Sequence, residues 1–157
     1  MKVIDNFLPD RIFNKLQEGM MSNLFSWYWA DEKVPENNSY RNCQLVHTLY
    51  ENNTSYSDWD VSPVTSQLKV KAIHRIKANL TLYTPEIYEY GLHTDVNFPC
   101  YTAVYYLNTN DGYTIFEDGA KVESVANRIL IFDSMKMHTG TTCTNEKRRV
   151  VLNLNFF

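Results

Sequence analysis

A series of short strand-like segments in the second half of the chain constrains the fold most. Turn residues separate these segments, for example Asn110-Asp111-Gly112 and Asp118-Gly119. Short strands at near-regular spacing, with Gly, Asn and Asp between them, are typical of a sandwich or barrel of antiparallel strands. We therefore expect a mainly β chain. The segments are 73–83, 101–107, 113–117, 121–125, 128–132 and 150–157.

The first half of the chain carries two helix patterns. Pro9-Asp10 precedes Ile12, Phe13, Leu16 and Met20, whose spacing of three and four residues forms one apolar stripe. Ser62-Pro63 is a second helix start, in which proline follows a capping residue. A length of 157 residues indicates one domain. We expect residues 1–72 to provide helical and loop support, with two helices packed on one sheet, and residues 73–157 to form a jelly-roll core.

Composition and charge exclude few function classes. A net charge of −3 and a pI near 5.8 give no broad basic surface for nucleic acid. Cys43, Cys100 and Cys143 are an odd number at spacings unlike zinc motifs, so free thiols are expected. The chain lacks a signal-peptide pattern and any run near the roughly 20 apolar residues of a membrane span. We expect a soluble, cytoplasmic protein.

The chemistry centres on Leu92-His93-Thr94-Asp95. Side chains of an extended segment repeat with period two, so His93 and Asp95 project from the same face and can bind one metal ion. A His-x-Asp triplet occurs by chance in roughly one of four chains with this many histidines and aspartates. The motif therefore indicates a metal site only if the chain also supplies a third ligand.

His138 is the candidate for that third ligand. It follows the apolar segment 129–132 and a short turn, which places it near a strand edge, whereas His47 and His74 lie among apolar residues and are expected to be structural. Two histidines and one carboxylate on a β-scaffold match the facial triad of non-haem Fe(II) oxygenases. Zinc accepts the same donors, so the ligands alone do not select iron.

Arg148, ten residues after His138, is the candidate anion binder. In the alternating segment that follows, Arg148 shares a face with Val150, Leu152, Leu154 and Phe156, while Arg149 falls on the other face. An arginine on an apolar interior face needs an anionic partner, and its guanidinium can clamp a carboxylate with two hydrogen bonds. We therefore predict that Arg148 points into the sandwich.

From about Ile73 to the C-terminus, the sequence resembles the Fe(II)- and 2-oxoglutarate-dependent dioxygenases, in particular the prolyl-4-hydroxylase-like branch. The family pattern is His-x-Asp, a distal His, and Arg or Lys about ten residues later. His93, Asp95, His138 and Arg148 occur in that order. The resemblance implies a double-stranded β-helix, the cupin-like jelly roll, and the chain resembles the small versions found in microbes and their viruses.

Two tyrosines and one turn add to the resemblance. Tyr83, ten residues before His93, matches a tyrosine that contacts 2-oxoglutarate in this branch, and Tyr106 matches a second one. Asp111-Gly112-Tyr113-Thr114 resembles a variant of the family's Gly-Gly-x-Thr turn. In a chain with eleven tyrosines, both could instead be core residues.

The resemblance implies that His93, Asp95 and His138 hold Fe(II) while Arg148, Tyr83 and Tyr106 bind 2-oxoglutarate. With O₂, the enzyme would hydroxylate an aliphatic C–H and release succinate and CO₂. A prolyl residue of a peptide or protein is the first substrate expected, and other amino-acid residues or small metabolites are alternatives. Nucleic-acid demethylation is disfavoured because Leu154 stands where that branch has a second arginine. A non-catalytic jelly roll that keeps the metal pocket, and any oligomeric state, stay open.

Overall fold

Eleven strands and two helices are present in a computed structural model, which describes residues 1–34 and 39–157. Residues 35–38 lie outside the described part. The elements, in chain order, are β1 Lys2–Ile4, α1 Asp10–Met21, β2 Tyr28–Ala30, β3 Gln44–Glu51, β4 Thr54–Ser55, α2 Ser62–Leu68, β5 Ile73–Leu82, β6 Tyr101–Tyr106, β7 Tyr113–Phe116, β8 Lys121–Glu123, β9 Ile129–Asp133, β10 His138–Gly140 and β11 Arg148–Phe156.

The strands form two antiparallel sheets. The larger has the order β1-β9-β6-β11-β5-β3-β2, with β4 paired to β3, and the smaller has the order β10-β7-β8. Residues of both sheets line one pocket. The predicted mainly β jelly roll is confirmed. The large sheet also contains four strands from the first 72 residues, so that segment adds to the sheet as well as supporting it.

Both helices lie against the outer face of the large sheet. Phe13, Leu16 and Met20 of α1 and Val64 of α2 are buried in the same core cluster as residues of β5, β6 and β11. Both helices begin where Pro9 and Ser62 predict, and α2 ends at Leu68 because Lys69 adopts a left-handed conformation with φ 57°. No helix in the described ranges is long and apolar enough to cross a membrane.

Strand β11 connects the helix layer to the pocket. It pairs with β5 on one side and with β6 on the other, which places it centrally in the large sheet. Val150, Leu152 and Leu154 enter the core beneath the helices. The intervening residues Arg149, Val151 and Asn153 face the pocket. This strand is therefore buried on both faces, which decides how its arginines are oriented.

Four short strands, β1, β2, β4 and β10, are not predicted from the sequence. Each has only two or three residues, too few for an alternating pattern to stand out. They are defined by pairing with distant strands, as when β1 pairs with β9. Cys43, Cys100 and Cys143 are free, as predicted.

Candidate metal centre

His93, Asp95 and His138 meet between the two sheets. One ligand atom of each residue lies within 4.8 Å of the other two. The backbone of His93 pairs with that of His138 through reciprocal N–H to carbonyl hydrogen bonds of 3.0 Å. Asp95, two residues further along, projects on the same side as His93, as the motif predicts. The structure thus brings together three residues that are separated by up to 45 positions in sequence.

Backbone carbonyls fix the orientation of both imidazole rings. The Nδ1 of His93 lies 3.1 Å from the Gly91 carbonyl oxygen, and the Nδ1 of His138 lies 3.0 Å from that of Lys136. Because a carbonyl only accepts, each Nδ1 carries a proton and donates it, which leaves Nε2 as the ring nitrogen that faces the pocket. Such contacts orient histidines for metal binding.

Asp95 is held in place by three neighbours. Asn153 Nδ2 donates to Asp95 Oδ2 over 3.0 Å, Arg75 Nη2 lies 3.3 Å from Oδ1, and His138 Nε2 lies 3.5 Å from Oδ2. Burial alone would raise the pKa of Asp95, but these partners hold that pKa well below its ordinary value. Asp95 is therefore ionised at neutral pH, as a metal ligand must be.

The donor set fits a divalent transition metal. Burial lowers the pKa of His93, so its ring is neutral at pH 7 and no proton competes with a metal ion. Two imidazole nitrogens and one carboxylate suit Fe(II) and leave further positions open. His47 and His74 lie elsewhere. The Nδ1 of His47 is 2.7 Å from the Ser26 carbonyl, and His74 packs on the Phe98 ring.

The three residues line a pocket of about 260 Å³ between the sheets. The large sheet contributes side chains of β5 and β11, and the small sheet contributes Thr114, His138 and Gly140. Asp95 is the one carboxylate among the described lining residues, which also include Lys33, Arg75, Lys77 and Arg149. The pocket is therefore suited to an anionic ligand.

Arg149, and not Arg148, is the arginine of β11 that lies in this pocket. The prediction for Arg148 is wrong: its side chain lies on the helix side of the sheet, where Nη2 donates to the Met21 carbonyl over 2.6 Å. The alternation of β11 is as expected, but the apolar face of Val150, Leu152 and Leu154 lies beneath the helices. The more polar face points between the sheets.

Arg149 is buried without a described carboxylate partner. Its Nε donates to Ser124 Oγ over 2.8 Å and its Nη2 to Thr114 Oγ1 over 3.2 Å, and the guanidinium lies 5.5 Å from the Tyr106 ring centroid. It forms no ion pair with any carboxylate in the described ranges. Burial lowers the pKa of Arg149. A buried guanidinium with only neutral partners is a site for an external anion.

Lys33 is a second basic side chain at this end of the pocket, and burial, followed by the neighbouring charge of Arg149, lowers its pKa well below the ordinary value. Its Nζ donates to the Gly140 carbonyl over 3.4 Å and lies 3.6 Å from the Tyr90 ring centroid. A Cβ at Gly140 would lie 3.0 Å from Arg149 Nη1 and 3.5 Å from Lys33 Nζ. Glycine at 140 thus leaves space where the two basic side chains converge. Sequence reasoning misses Lys33 because it lies in a polar stretch without periodicity.

The two candidate tyrosines have different positions. Tyr106 is fully buried beside Arg149, and its hydroxyl donates to Thr114 Oγ1 over 2.8 Å. Tyr106 and Thr114 therefore position the guanidinium. Tyr83 is 53% exposed and lies beside residues 144–147, outside the pocket. The structure does not bring Tyr83 to the metal centre.

Glycine at 112 lets the turn before β7 approach Arg149. A Cβ at Gly112 would lie 2.5 Å from the Thr142 carbonyl oxygen and 2.8 Å from Arg149 Cδ. Two residues later, Thr114 accepts the hydrogen bond from Arg149. The turn Asp111-Gly112-Tyr113-Thr114 therefore supports the anion site.

Several solved structures share this fold. The chain is similar to a prolyl hydroxylase from Trichoplax adhaerens, solved in complex with a peptide of the hypoxia inducible factor oxygen degradation domain (TM-score 0.67, 15% identity, covering 99% of this chain and 82% of that one). It is also similar to a prolyl-4-hydroxylase from Pseudomonas putida (TM-score 0.56, 16% identity, covering 99% of this chain and 91% of that one). A third similar structure is a viral collagen prolyl hydroxylase from Paramecium Bursaria Chlorella virus-1 (TM-score 0.58, 10% identity, covering 98% of this chain and 87% of that one). No protein-family model and no curated protein matches the chain. The chain therefore has the fold of prolyl hydroxylases.

Proposed function

We propose that this chain is an Fe(II)- and 2-oxoglutarate-dependent dioxygenase that hydroxylates a prolyl residue of a peptide or protein. The observation that carries the proposal is the arrangement of His93, Asp95 and His138 in one pocket with Arg149. Three ligands on one side of a metal leave positions for a chelating cosubstrate and for O₂. A buried arginine with only neutral partners supplies the counter-charge for the cosubstrate's far carboxylate.

Each pocket residue has one role in this proposal. His93, Asp95 and His138 would hold Fe(II), which when bound supplies the oxidative chemistry that couples 2-oxoglutarate decarboxylation to substrate hydroxylation. Arg149 and Lys33 bind the distal carboxylate, and Tyr106 and Thr114 keep Arg149 in place. Asn153 and Arg75 orient Asp95. The protein thus supplies ligand geometry and charge.

The prolyl substrate is supported by the shared fold. The similar structures are those of prolyl hydroxylases, and that of Trichoplax adhaerens contains a bound peptide. The side of the pocket near Arg75 and Lys77 is available for a substrate group, because Arg149 lies at the other end of the sheet face. We therefore expect the substrate to approach the metal from the Arg75 side.

The test is Fe(II)-dependent formation of succinate from 2-oxoglutarate, followed by mass spectrometry of a proline-containing peptide library. We expect succinate formation that requires Fe(II) and O₂, with a mass increase of one oxygen atom on proline. Asp95→Ala and His138→Ala should abolish both. A wild-type rate in either variant, in an iron-replete assay, would contradict the assignment of the metal ligands. Succinate formation with oxidation of a different residue would reject only the prolyl substrate.

A further inference from the structure

The pocket contains more positive charge than the proposed reaction needs. Lys33, Arg75, Lys77 and Arg149 line it, and Asp95 is the one carboxylate among the described lining residues. Fe(II) carries two positive charges and 2-oxoglutarate two negative ones, so together they leave the charge of the pocket unchanged. With both bound, the pocket still has cationic groups without a counter-charge.

The cationic groups form two separate pairs. Arg149 and Lys33 converge at Gly140. Arg75 and Lys77 lie on β5, where they pair in register with Asn155 and Asn153 of β11, four to six residues from Arg149. Because a strand rises about 3.3 Å per residue, this separation is about 13–20 Å between Cα atoms. A carboxylate bound at Arg149 therefore does not neutralise Arg75 and Lys77.

Arg75 has only part of its hydrogen-bonding capacity in use. Its Nη2 lies 3.3 Å from Asp95 Oδ1, while its Nε is buried without a partner. Asp95 also accepts from Asn153 and would bind the metal, so its single charge is shared among several partners. A substrate carboxylate in the pocket would supply Arg75 with the negative charge that Asp95 provides only in part.

Lys77 makes no direct contact with an anionic group in the described ranges, and its favourable interactions with Asp95 and Glu51 act only through space. Its side chain is half-buried and lines the pocket, but it forms no hydrogen bond or ion pair there. Burial, followed by the neighbouring charge of Arg75, lowers the pKa of Lys77. The protein therefore holds a desolvated ammonium group beside a partly unpaired guanidinium, facing the same space.

We propose that Arg75 and Lys77 bind a carboxylate of the substrate, so that the compound oxidised here carries an acidic group close to the carbon that reacts. This inference rests on the proposed function. Arg75 touches Asp95, a proposed metal ligand, and a carboxylate held by Arg75 brings its neighbouring carbons to the metal. A neutral substrate would leave Lys77 without an anionic contact, and Arg75 with only its share of the Asp95 charge. The carboxylate belongs either to an acidic residue next to the target in a peptide or to a free amino acid.

The first experiment compares matched acid and amide compounds. Protein loaded with Mn(II), which binds without turnover, is titrated calorimetrically with an inert 2-oxoglutarate analogue present. The peptides contain proline with either Glu or Gln beside it. The free compounds are glutamate, aspartate and proline, each compared with its amide. We expect at least one acid to bind about ten-fold or more tightly than its amide, as charge-assisted hydrogen bonds predict. A preference among the peptides indicates a peptide substrate, and a preference among the free compounds indicates a free amino acid. Equal binding of acid and amide throughout overturns the proposal.

The second experiment removes one charge. Lys77→Met should weaken binding of the preferred acid about ten-fold and leave its amide unaffected. Lys147→Met, which removes a charge from an exposed position outside the pocket, is the matched control and should change neither. If Lys77→Met weakens 2-oxoglutarate binding instead, the pair belongs to the cosubstrate and the proposal is wrong. Acid binding that depends on Lys77, in a protein that forms no succinate from 2-oxoglutarate, would support this site while rejecting the proposed function.

Discussion

Arg149 shows how the surroundings of one residue decide what a pocket binds. Ser124 and Thr114 accept its hydrogen bonds and Tyr106 lies against its guanidinium, so the side chain has one orientation. None of these partners is charged. Its positive charge is therefore fixed in place and available to a ligand, while Arg148 on the opposite face is used for a structural contact with α1.

The two adjacent arginines give a direct comparison. Arg149→Ala should weaken 2-oxoglutarate binding about 100-fold, or about 3 kcal/mol, because it removes the partner of a buried carboxylate. Arg148→Ala should change the affinity less than two-fold and lower the free energy of unfolding by about 1 kcal/mol through loss of the Met21 contact. Calorimetric titration and denaturant unfolding measure the two quantities. Reversed effects would show that β11 faces the other way.

The sequence predicts some of these residues and not others. His93 and Asp95 are recognisable because two residues along an extended segment share a face, and His138 because it follows an apolar strand. The choice between Arg148 and Arg149 fails because both faces of β11 are buried and the sequence does not state which is covered by helices. Lys33 is not predictable, because its contact with Gly140 joins positions 107 residues apart.

At the level of elements, β11 separates stability from chemistry by alternation. One face has Leu152 and Leu154 in the core beneath the helices, and the other has Asn153 against Asp95. Adjacent residues of one strand thus serve different functions because successive side chains point to opposite faces. The same alternation explains why β5 presents Arg75 and Lys77 to the pocket and Ile76 and Ala78 to the core.

Substitutions at neighbouring positions of β11 should therefore have separable effects. Leu152→Ala should lower the free energy of unfolding by about 2–5 kcal/mol, because it leaves a cavity in the core beneath the helices. Asn153→Ala should weaken divalent-metal binding about 10- to 100-fold by releasing Asp95. Denaturant unfolding and metal titration measure these effects. A large loss of metal affinity in Leu152→Ala, with none in Asn153→Ala, would contradict the division of faces.

For the molecule as a whole, the candidate metal centre depends on contacts between distant parts of the chain. His93 comes from the segment after β5, His138 from β10 of the small sheet, and Asn153 from β11 of the large sheet. The jelly roll itself is predictable from repeated short strands and turn residues. Its sheet order and the pairing of β1 with β9 are not, because they depend on long-range contacts with no local signal.

Because the ligands come from different elements, metal binding should stabilise the whole fold. A divalent ion present at 100 times its dissociation constant should add about 2.7 kcal/mol to the free energy of unfolding. For a chain of this size, each kcal/mol raises Tm by roughly 2–4 °C, so the ion should raise Tm by roughly 5–11 °C. Thermal unfolding with Mn(II) and with chelator measures the difference. His138→Ala should lose the stabilisation, and an equal increase in that variant would place the ion elsewhere.

The most direct test of the proposed function is an anaerobic crystal structure of the chain with Fe(II) and 2-oxoglutarate. We predict one iron bound by His93, Asp95 and His138, chelated by 2-oxoglutarate, with the far carboxylate of the cosubstrate on Arg149 and Lys33. Arg75 and Lys77 should still face the open side of the pocket. Iron on other residues, or 2-oxoglutarate bound away from the metal, would contradict the proposed function.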